Sequence, residues 1–494
     1  MHIGATAALV SPPQSLSPAT FPAIFTSRLN PLQSRFSAAA ARAATGSPDT
    51  QTHLANLEHI LRRQSPLPPQ PAPTASPFVG LLLPALRLPP LFQRRDAEEA
   101  SPRSLAHLNH LLSDSAVPSP RRSISGRWRE FHGFCDWSGL LDPLDPDLRR
   151  EVLHYGDFIH SAYHAFFNSP SFSVDSPRPV AFPDRSYRLT RHLFATSSID
   201  PPSWLPSWTS HRTSWIGFVA VCDSDREIRR MGRRNIVVAL RGTSTCLEWA
   251  ENLRANLVPL DEDDGNGDKS PKVECGFRNL YKTAGDRHQS LSSAVVEEVR
   301  RLVELYKGEE LSITVTGHSL GAALAVLTAD ELASSSPEMP PVAVFSFGGP
   351  RVGNRAFAQR VERRKGVKVL RVVNAHDLVT RVPGLVKFPA EIAGRLRDGY
   401  EHVGRELRVD SRVSPFLKPD ADLACCHDLE AYLHLVDGLG GGGGFRPNAK
   451  RSLVRLLSQQ RGNVKKLYVR KARALGLDQD EDARRAGSGC VANI

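Results

Sequence analysis

The sequence predicts an α/β fold with a mostly parallel central sheet and helices on both of its faces. Runs rich in β-branched residues at 214–222, 235–240, 313–316, 342–347 and 367–374 alternate with segments whose apolar residues recur at helical spacing. Strands separated by helices in this way pair in parallel, because a parallel neighbour is reached only through a crossover. A second observation is the stretch 311–330, where a strand pattern becomes an Ala/Leu-rich helical run with no intervening loop. Gly317-His318-Ser319-Leu320-Gly321 stands at that bend.

Composition limits the function classes. The 494 residues leave room for one large domain with appendages, and 40% hydrophobic and 23% charged content are ordinary for a globular chain. No apolar run reaches the roughly 18 residues of a membrane-spanning helix. Cys135, Cys222, Cys246, Cys275, Cys425, Cys426 and Cys490 have neither metal-ligand nor disulfide-framework spacing, so they read as free thiols. The formal charge is +11, but residues 445–494 hold 12 Lys/Arg against 4 Asp/Glu. The middle of the chain is therefore near neutral and offers no nucleic-acid surface. No metal or nucleotide site is expected, and the acidic stretch 261–268 lacks calcium-loop spacing.

Residues 1–48 are rich in Ser, Ala and Pro, carry Arg28, Arg35 and Arg42, and have no acidic residue before Asp49. That composition reads as an organelle transit peptide. Residues 49–125 continue as a Pro/Arg-rich flexible segment with a short helix at 54–63. The ordered domain is expected over 126–439, with all six tryptophans between Trp128 and Trp249. Val152, Tyr155, Ile159 and Tyr163 give 147–167 a helical period, and these aromatics read as core. A short amphipathic helix is expected at 246–256, an exposed acidic loop at 261–268 and an irregular link at 274–281. Helices follow at 290–306 and 355–364, and the strand 367–374 runs into Ala375-His376-Asp377. Residues 400–409 read as a further strand, and His427 as opening a helix. A glycine linker at 440–444 then leads into a basic helical extension over 445–494, read as one helix at 449–475.

A serine on a sharp strand-to-helix bend has its Oγ lifted above the sheet, and flanking glycines avoid Cβ collisions there. A neutral hydroxyl needs a base within hydrogen-bond reach before it becomes a useful nucleophile. In the α/β-hydrolase chain order the acid follows the serine and the histidine comes last. Asp377 follows a buried strand at its carboxyl end and fits the acid, while His427 fits the base. His376, His402 and His434 are rivals for the base. The N–H of Leu320, next after the serine, and that of Thr243, at the exit of the 235–240 strand, are the candidate oxyanion donors. Losing one such donor typically raises a barrier by on the order of 3 kcal/mol.

These residues resemble the class 3 lipases, the family of fungal triacylglycerol lipases, and within it the plant chloroplast phospholipase A1 branch. The resembling pieces run from about 126 to 437. They include Trp128-Arg-Glu-Phe-His-Gly133, Leu240-Arg-Gly-Thr243, Gly317-His-Ser-Leu-Gly321, Phe347-Gly-Gly-Pro-Arg-Val-Gly353 and His427-Asp-Leu-Glu430. The resemblance implies an α/β-hydrolase fold of the class 3 lipase type. It also implies a triad of Ser319, Asp377 and His427 and an oxyanion hole at Thr243 and Leu320. A lid helix follows the oxyanion loop in fungal relatives, which makes 245–256 the lid candidate, with Leu247, Trp249 and Leu253 meeting lipid. An ordinary docked surface helix has the same amphipathic pattern.

The implied activity is cleavage of the sn-1 ester of phospholipids, with galactolipids and triacylglycerol as further substrates, in a chloroplast or, alternatively, a mitochondrion. In this branch the released fatty acid feeds jasmonate synthesis. No cofactor is implied; the partner is membrane lipid, with peripheral membrane contact, and the oligomeric state is not legible. The basic extension suits a solvated, salt-bridged helix or attraction to anionic lipid. A lipase-like signalling protein without turnover and an acyltransferase are the competing functions.

Overall fold

The computed structural model describes residues 122–167, 179–197, 212–242, 256–260, 270–383, 399–441, 444–446 and 453–474. The chain divides into Met1–Gly46 and Ser47–Ile494, and every described residue lies in the second unit. The described chain opens with α1 (Trp128–Phe131), α2 (Pro146–Phe167), β1 (Tyr187–Ser197), β2 (Arg212–Cys222), α3 (Asp225–Met231) and β3 (Arg234–Leu240). It continues with β4 (Leu257–Pro259), β5 (Lys272–Glu274), α4 (Cys275–Lys282), α5 (Leu291–Leu305), β6 (Leu311–His318) and α6 (Leu320–Ser335). Next come β7 (Val342–Phe347), β8 (Gly353–Asn354), α7 (Arg355–Arg363), β9 (Val367–Asn374), β10 (Tyr400–Glu401) and β11 (Arg405–Val409). The last helices are α8 (Leu423–Cys426), α9 (Leu429–Gly438), α10 (Leu453–Gln460) and α11 (Lys466–Ala474).

The main sheet has seven strands in the order β1-β2-β3-β6-β7-β9-β11. The pairs from β3 to β11 are parallel, and β1 and β2 add antiparallel strands at one edge. Every residue of β3, β6 and β7 is buried, as a parallel strand covered on both faces requires. Alternation along the strands divides the core. Ile236, Val238, Leu240, Ile313, Val315, Val342 and Val344 pack with Phe277 of α4, Val299 of α5, Leu327 of α6 and Val361 of α7. Val237, Ala239, Ala343, Phe345 and Phe347 face the other way, against Phe158 and Ile159 of α2 and Tyr432 and Leu433 of α9. The mostly parallel sheet with helices on both faces is thus the architecture the sequence predicts.

Register brings the functional ends level. Leu240 pairs with Gly317, and His318 pairs with Phe347, so β3, β6 and β7 finish side by side. Ligand and catalytic groups collect at such carboxyl ends in open α/β sheets. Residues 320–330 of α6 are buried all round, because α6 lies between the sheet and α4 and α5. Its buried Asp330 is neutralised by Arg360 at 2.9 Å and Arg364 at 3.1 Å.

Several local expectations are corrected. The irregular link at 274–281 is the end of β5 and the helix α4. Gly276 and Asn279 weaken its helix signal, but Glu274 accepts the Phe277 N–H at 2.8 Å, and Phe277 and Tyr281 are buried one turn apart. The single strand at 400–409 is two strands in different sheets. β10 joins the small antiparallel sheet β10-β8-β5-β4, and Gly404, at φ +79, turns the chain before β11 joins the main sheet. The basic helix at 449–475 is two helices, α10 and α11, separated at Val464, which bridges to Leu417.

The glycine run at 440–444, expected as a linker, has its ends tied together. Gly440 donates to Gly444 O, and Arg446 donates to Gly438 O, each at 2.7 Å. The transit segment, the helix at 54–63, residues 245–255 of the lid candidate and the acidic loop at 261–268 lie outside the described residues. Among the described residues, Cys135, Cys222, Cys275, Cys425 and Cys426 are free thiols, and no helix is long and apolar enough to cross a membrane.

Gly321 packs against backbone rather than flexible side chains. A Cβ there would lie 2.4 Å from Leu240 O and 2.6 Å from Arg241 O. Gly321→Ala is therefore expected to lose about 3 kcal/mol of stability, seen as a lower urea midpoint with an unchanged slope.

Candidate active site

β6 ends at His318 and α6 begins at Leu320, so Ser319 alone makes the reversal. Its backbone sits at φ 58, ψ −124, a conformation that residues with a Cβ avoid. Such strain costs of order 1–3 kcal/mol and persists only where the surroundings impose it. Here Ser319 N–H donates to Phe347 O at 3.0 Å, and Ser319 O accepts from Ala322 N–H at 3.0 Å. A Cβ on Gly317 would fall 2.2 Å from Gly321 O, so no other residue fits there. Leu320 occupies the first position of α6, where an N–H has no intrahelical acceptor and the helix dipole is positive.

The structure brings the three predicted side chains together. Ser319 Oγ lies 2.8 Å from His427 Nε2, and His427 Nδ1 lies 2.7 Å from Asp377 Oδ2. All three residues are at least 95% buried, at 3%, 5% and 1% exposure. Asp377 Oδ2 also accepts from Tyr432 O–H at 2.6 Å, and Oδ1 accepts from Val379 N–H at 2.9 Å. Because the carboxylate can only accept, His427 carries its proton on Nδ1 and presents the Nε2 lone pair to the serine hydroxyl. The rival histidines are engaged elsewhere: His376 with Asp410 at 3.1 Å and His434 with Ser414 at 2.8 Å. Burial, with the nearby Arg371 and Arg351 charges, pushes the pKa of His402 down to about 3.

Sequence reasoning missed a hydrogen-bonded chain behind this trio. Gly242 N–H donates to Tyr163 Oη at 2.9 Å, Tyr163 lies 2.8 Å from His318 Nδ1, and His318 Nε2 lies 2.8 Å from His427 O. Burial, with the neighbouring His427 adding to it, drives the pKa of His318 well below its usual value. His318 is therefore neutral: Nε2–H donates to the carbonyl, and Nδ1 accepts from Tyr163. Tyr432 was also unassigned. Burial first and the Asp377 charge second raise its pKa well above the usual value, so it stays an O–H donor. Tyr163 carried a signal only as one member of a helical apolar stripe, which is equally the signal of a core residue.

Thr243, Leu247, Trp249 and Leu253 lie outside the described residues, and Gly242 is the last described residue before them. Gly242 itself passes close to the serine, since a Cβ there would lie 2.9 Å from Ser319 Cβ. Among the described residues no group of three His, Cys, Asp or Glu side chains is placed to hold a metal ion.

A parallel sheet with a strained serine at the end of a central strand, in reach of a histidine and a buried carboxylate, defines an α/β-hydrolase. Residues 237–387 match the family model described as Lipase (class 3). The chain is 46% identical over 388 residues to the chloroplastic phospholipase A(1) DAD1 of Arabidopsis thaliana, covering 70% of this chain and 86% of that protein. It is 44% identical over 361 residues to the chloroplastic phospholipase A1-Igamma1 of the same plant (65% and 69% covered). To the chloroplastic galactolipase DONGLE it is 37% identical over 352 residues (65% and 72%). A solved structure, the Rhizomucor miehei lipase propeptide complex, is 22% identical over 53% of this chain and 68% of that chain, with a TM-score of 0.34. That score is too low to weigh in the assignment. The chain belongs to the class 3 lipase family, and with it to the carboxylic ester hydrolases.

Two predictions follow from the hydrogen bonds around His427. Tyr432→Phe removes a donor to a buried carboxylate, a contact worth about 1.5–3 kcal/mol. It should lower kcat/KM by about 10-fold or more, and move the acidic limb of its pH profile upward, because the less-solvated carboxylate holds the imidazolium more tightly. Asp428 caps α9 by accepting the Ala431 N–H at 3.0 Å, and burial, with Glu430 adding like charge, pushes its pKa up to about 6. A carboxyl whose folded pKa is raised favours the fold below its unfolded value near 3.8 and loses that advantage as pH rises through about 6. Asp428→Asn should thus be about 1–2 kcal/mol more stable than the parent at pH 8 and no more stable at pH 4, by urea unfolding.

Proposed function

We propose that Ser319, His427 and Asp377 form the catalytic triad of a lipid acyl-hydrolase. In this reading the enzyme cleaves the sn-1 ester of glycerophospholipids, and galactolipids and triacylglycerol as well, releasing fatty acid in the chloroplast. The observation that carries the triad is the unbroken path from Ser319 Oγ to His427 at 2.8 Å and on to Asp377 at 2.7 Å, ending at the strained bend. The substrate class and the chloroplast are supported by the names of the relatives, phospholipases A1 and a galactolipase called chloroplastic.

In the acylation step Ser319 Oγ attacks the ester carbonyl while His427 Nε2 takes the hydroxyl proton. Asp377 holds the ring in the tautomer that makes Nε2 available and stabilises the imidazolium. The carbonyl oxygen gains negative charge, which Leu320 N–H and Thr243 N–H receive as oxyanion donors. His427 then returns the proton to the departing lysolipid oxygen. Water enters, loses a proton to His427 and attacks the acyl-serine; the C–Oγ bond then breaks as His427 returns that proton to Oγ, freeing the fatty acid and restoring the serine hydroxyl. Leu247, Trp249 and Leu253 belong in this reading to a lid that meets lipid, and the surplus of Lys/Arg in 445–494 favours contact with anionic membrane.

One experiment separates this from its rivals. Vesicles of phosphatidylcholine or monogalactosyldiacylglycerol, with and without anionic lipid, are incubated with the parent and Ser319→Ala at low and high salt, and released fatty acid is assigned by position. The parent should release mainly sn-1 chains, faster from anionic vesicles at low salt, and Ser319→Ala should lose at least about 10³-fold in rate. Equal turnover by both proteins would end the triad assignment. No turnover by the parent would favour a signalling role, and transfer of acyl groups to an added alcohol in preference to water would favour an acyltransferase.

A further inference from the structure

The C-terminal helices do not hang from the domain as an appended basic arm. Leu456 of α10 and Val464 share a small core with Leu417, Cys425 and Ala431, the last two on the helices that flank His427. Backbone bonds fasten the same region: Lys418 N–H donates to Asn463 O at 2.8 Å, and Lys465 N–H donates to Phe416 O at 2.9 Å. The turn after α10 is thereby laid along the segment that leads into α8.

His427 stands in the two-residue junction between α8 and α9, and each of those helices is capped by an aspartate. Asp422 accepts the Cys425 N–H at 2.8 Å to cap α8, and Asp428 caps α9. α8 has only four residues, too few to hold a helical turn by itself. Two linked buried amides of the extension meet the first of these caps. Asn463 Oδ1 accepts the Asp422 N–H at 3.0 Å, and Asn463 Nδ2 donates to Asp422 Oδ1 at 3.2 Å. Gln460 Oε1 accepts from the same Asn463 Nδ2 at 3.2 Å, so the two amides brace each other beside the junction. Gln460 is 5% exposed and Asn463 8%, so neither amide has water to replace a lost partner.

We propose that Gln460 and Asn463 are positioning residues for the esterase reaction, through which the C-terminal extension fixes the cap of α8 and with it the placement of His427 against Ser319. The inference rests on the triad reading above. A buried amide matched to a cap at both its donor and acceptor ends sets the direction in which α8 delivers the imidazole. An error of about 1 Å at Nε2 is enough to cost on the order of 10²-fold in rate.

The test is titration of Ser319 with a fluorescent alkyl phosphonate, which gives both the number of reactive sites and the rate per site, alongside kcat and KM for a soluble short-chain ester. Asn463→Ala should label to the parent's stoichiometry but at least about 10-fold more slowly per site. Its kcat should fall in parallel, with KM within about two-fold, because substrate contacts are untouched. Asn463→Asp, which sets two carboxylates face to face, should be slower still at pH 8. Exchanging the pair in Asp422→Asn/Asn463→Asp should recover most of the loss. Should Asn463→Ala not fold, Gln460→Ala is read in the same way, since it leaves the Asn463–Asp422 pair in place. The inference is overturned if the variants keep the parent's rate per site, whether with full stoichiometry or with fewer sites, the latter meaning that the extension only stabilises the fold. A parent protein that takes up no phosphonate would instead overturn the triad reading.

Discussion

The backbone reversal at Ser319 is the constraint around which the described fold is arranged. A chain that leaves a central strand and enters a helix within one residue must place that residue at positive φ and bring strand and helix into backbone contact. Both demands are met by what surrounds it. Gly317 and Gly321 leave the space where a Cβ would overlap carbonyl oxygens, and the neighbouring strand end at Phe347 accepts the serine N–H. The all-round burial of α6 explains how the strain is tolerated: the helix that begins at the bend is packed from residue 320 to 330 and cannot relax away.

Polar groups behind the bend form a second layer. At the carboxyl ends of the strands, His318, Tyr163, Tyr432, Asn374 and the Gly242 amide are hydrogen-bonded around the trio. Asn374 illustrates how tightly the set is shared. Its N–H donates to Tyr432 Oη at 3.1 Å, while its side-chain amide donates to Cys426 O at 2.8 Å, one residue before His427. In a low-dielectric interior each such group is costly if left unpaired, so the network specifies one arrangement of the site rather than several. The same chain links the exit of β3, at Gly242, to the carbonyl of His427. Gly242 and the proposed base are thereby held relative to each other by Tyr163 and His318.

The extension after the glycine run belongs to this architecture as well. Its basic composition suggested a helix governed by solvent or lipid, since Lys and Arg dominate its sequence. Composition averages over faces, however, and the few residues that decide the matter are Leu456, Gln460, Asn463 and Val464, all buried. Among the described side chains of this helix pair, Lys466 and Arg470 are exposed, on a segment anchored by these buried residues. A membrane role and a positioning role are compatible because they use different residues of the same segment.

Local signals in the sequence determined a great deal here. Alternating β-branched runs gave the sheet its central strands, helical periods gave α2, α5 and α7, and the G-x-S-x-G bend placed Ser319 at a strand end. Chain order then put Asp377 and His427 forward for the other two roles. Where the local signal was weak or mixed the reading failed: in α4, with its Gly276 and Asn279, capping and burial outweighed propensity, and in 400–409 a left-handed turn at Gly404 divides the run between two sheets.

Only the tertiary structure decided which histidine meets the serine. Ser319 and His427 are 108 positions apart, and nothing periodic along the chain records a contact of that range. The same is true of Tyr163 with His318, separated by 155, and of Asn463 with Asp422, separated by 41. Sequence periodicity reports which side of an element is apolar; the convergence of polar atoms from distant elements depends on how those elements pack, and that is settled only once the core is formed.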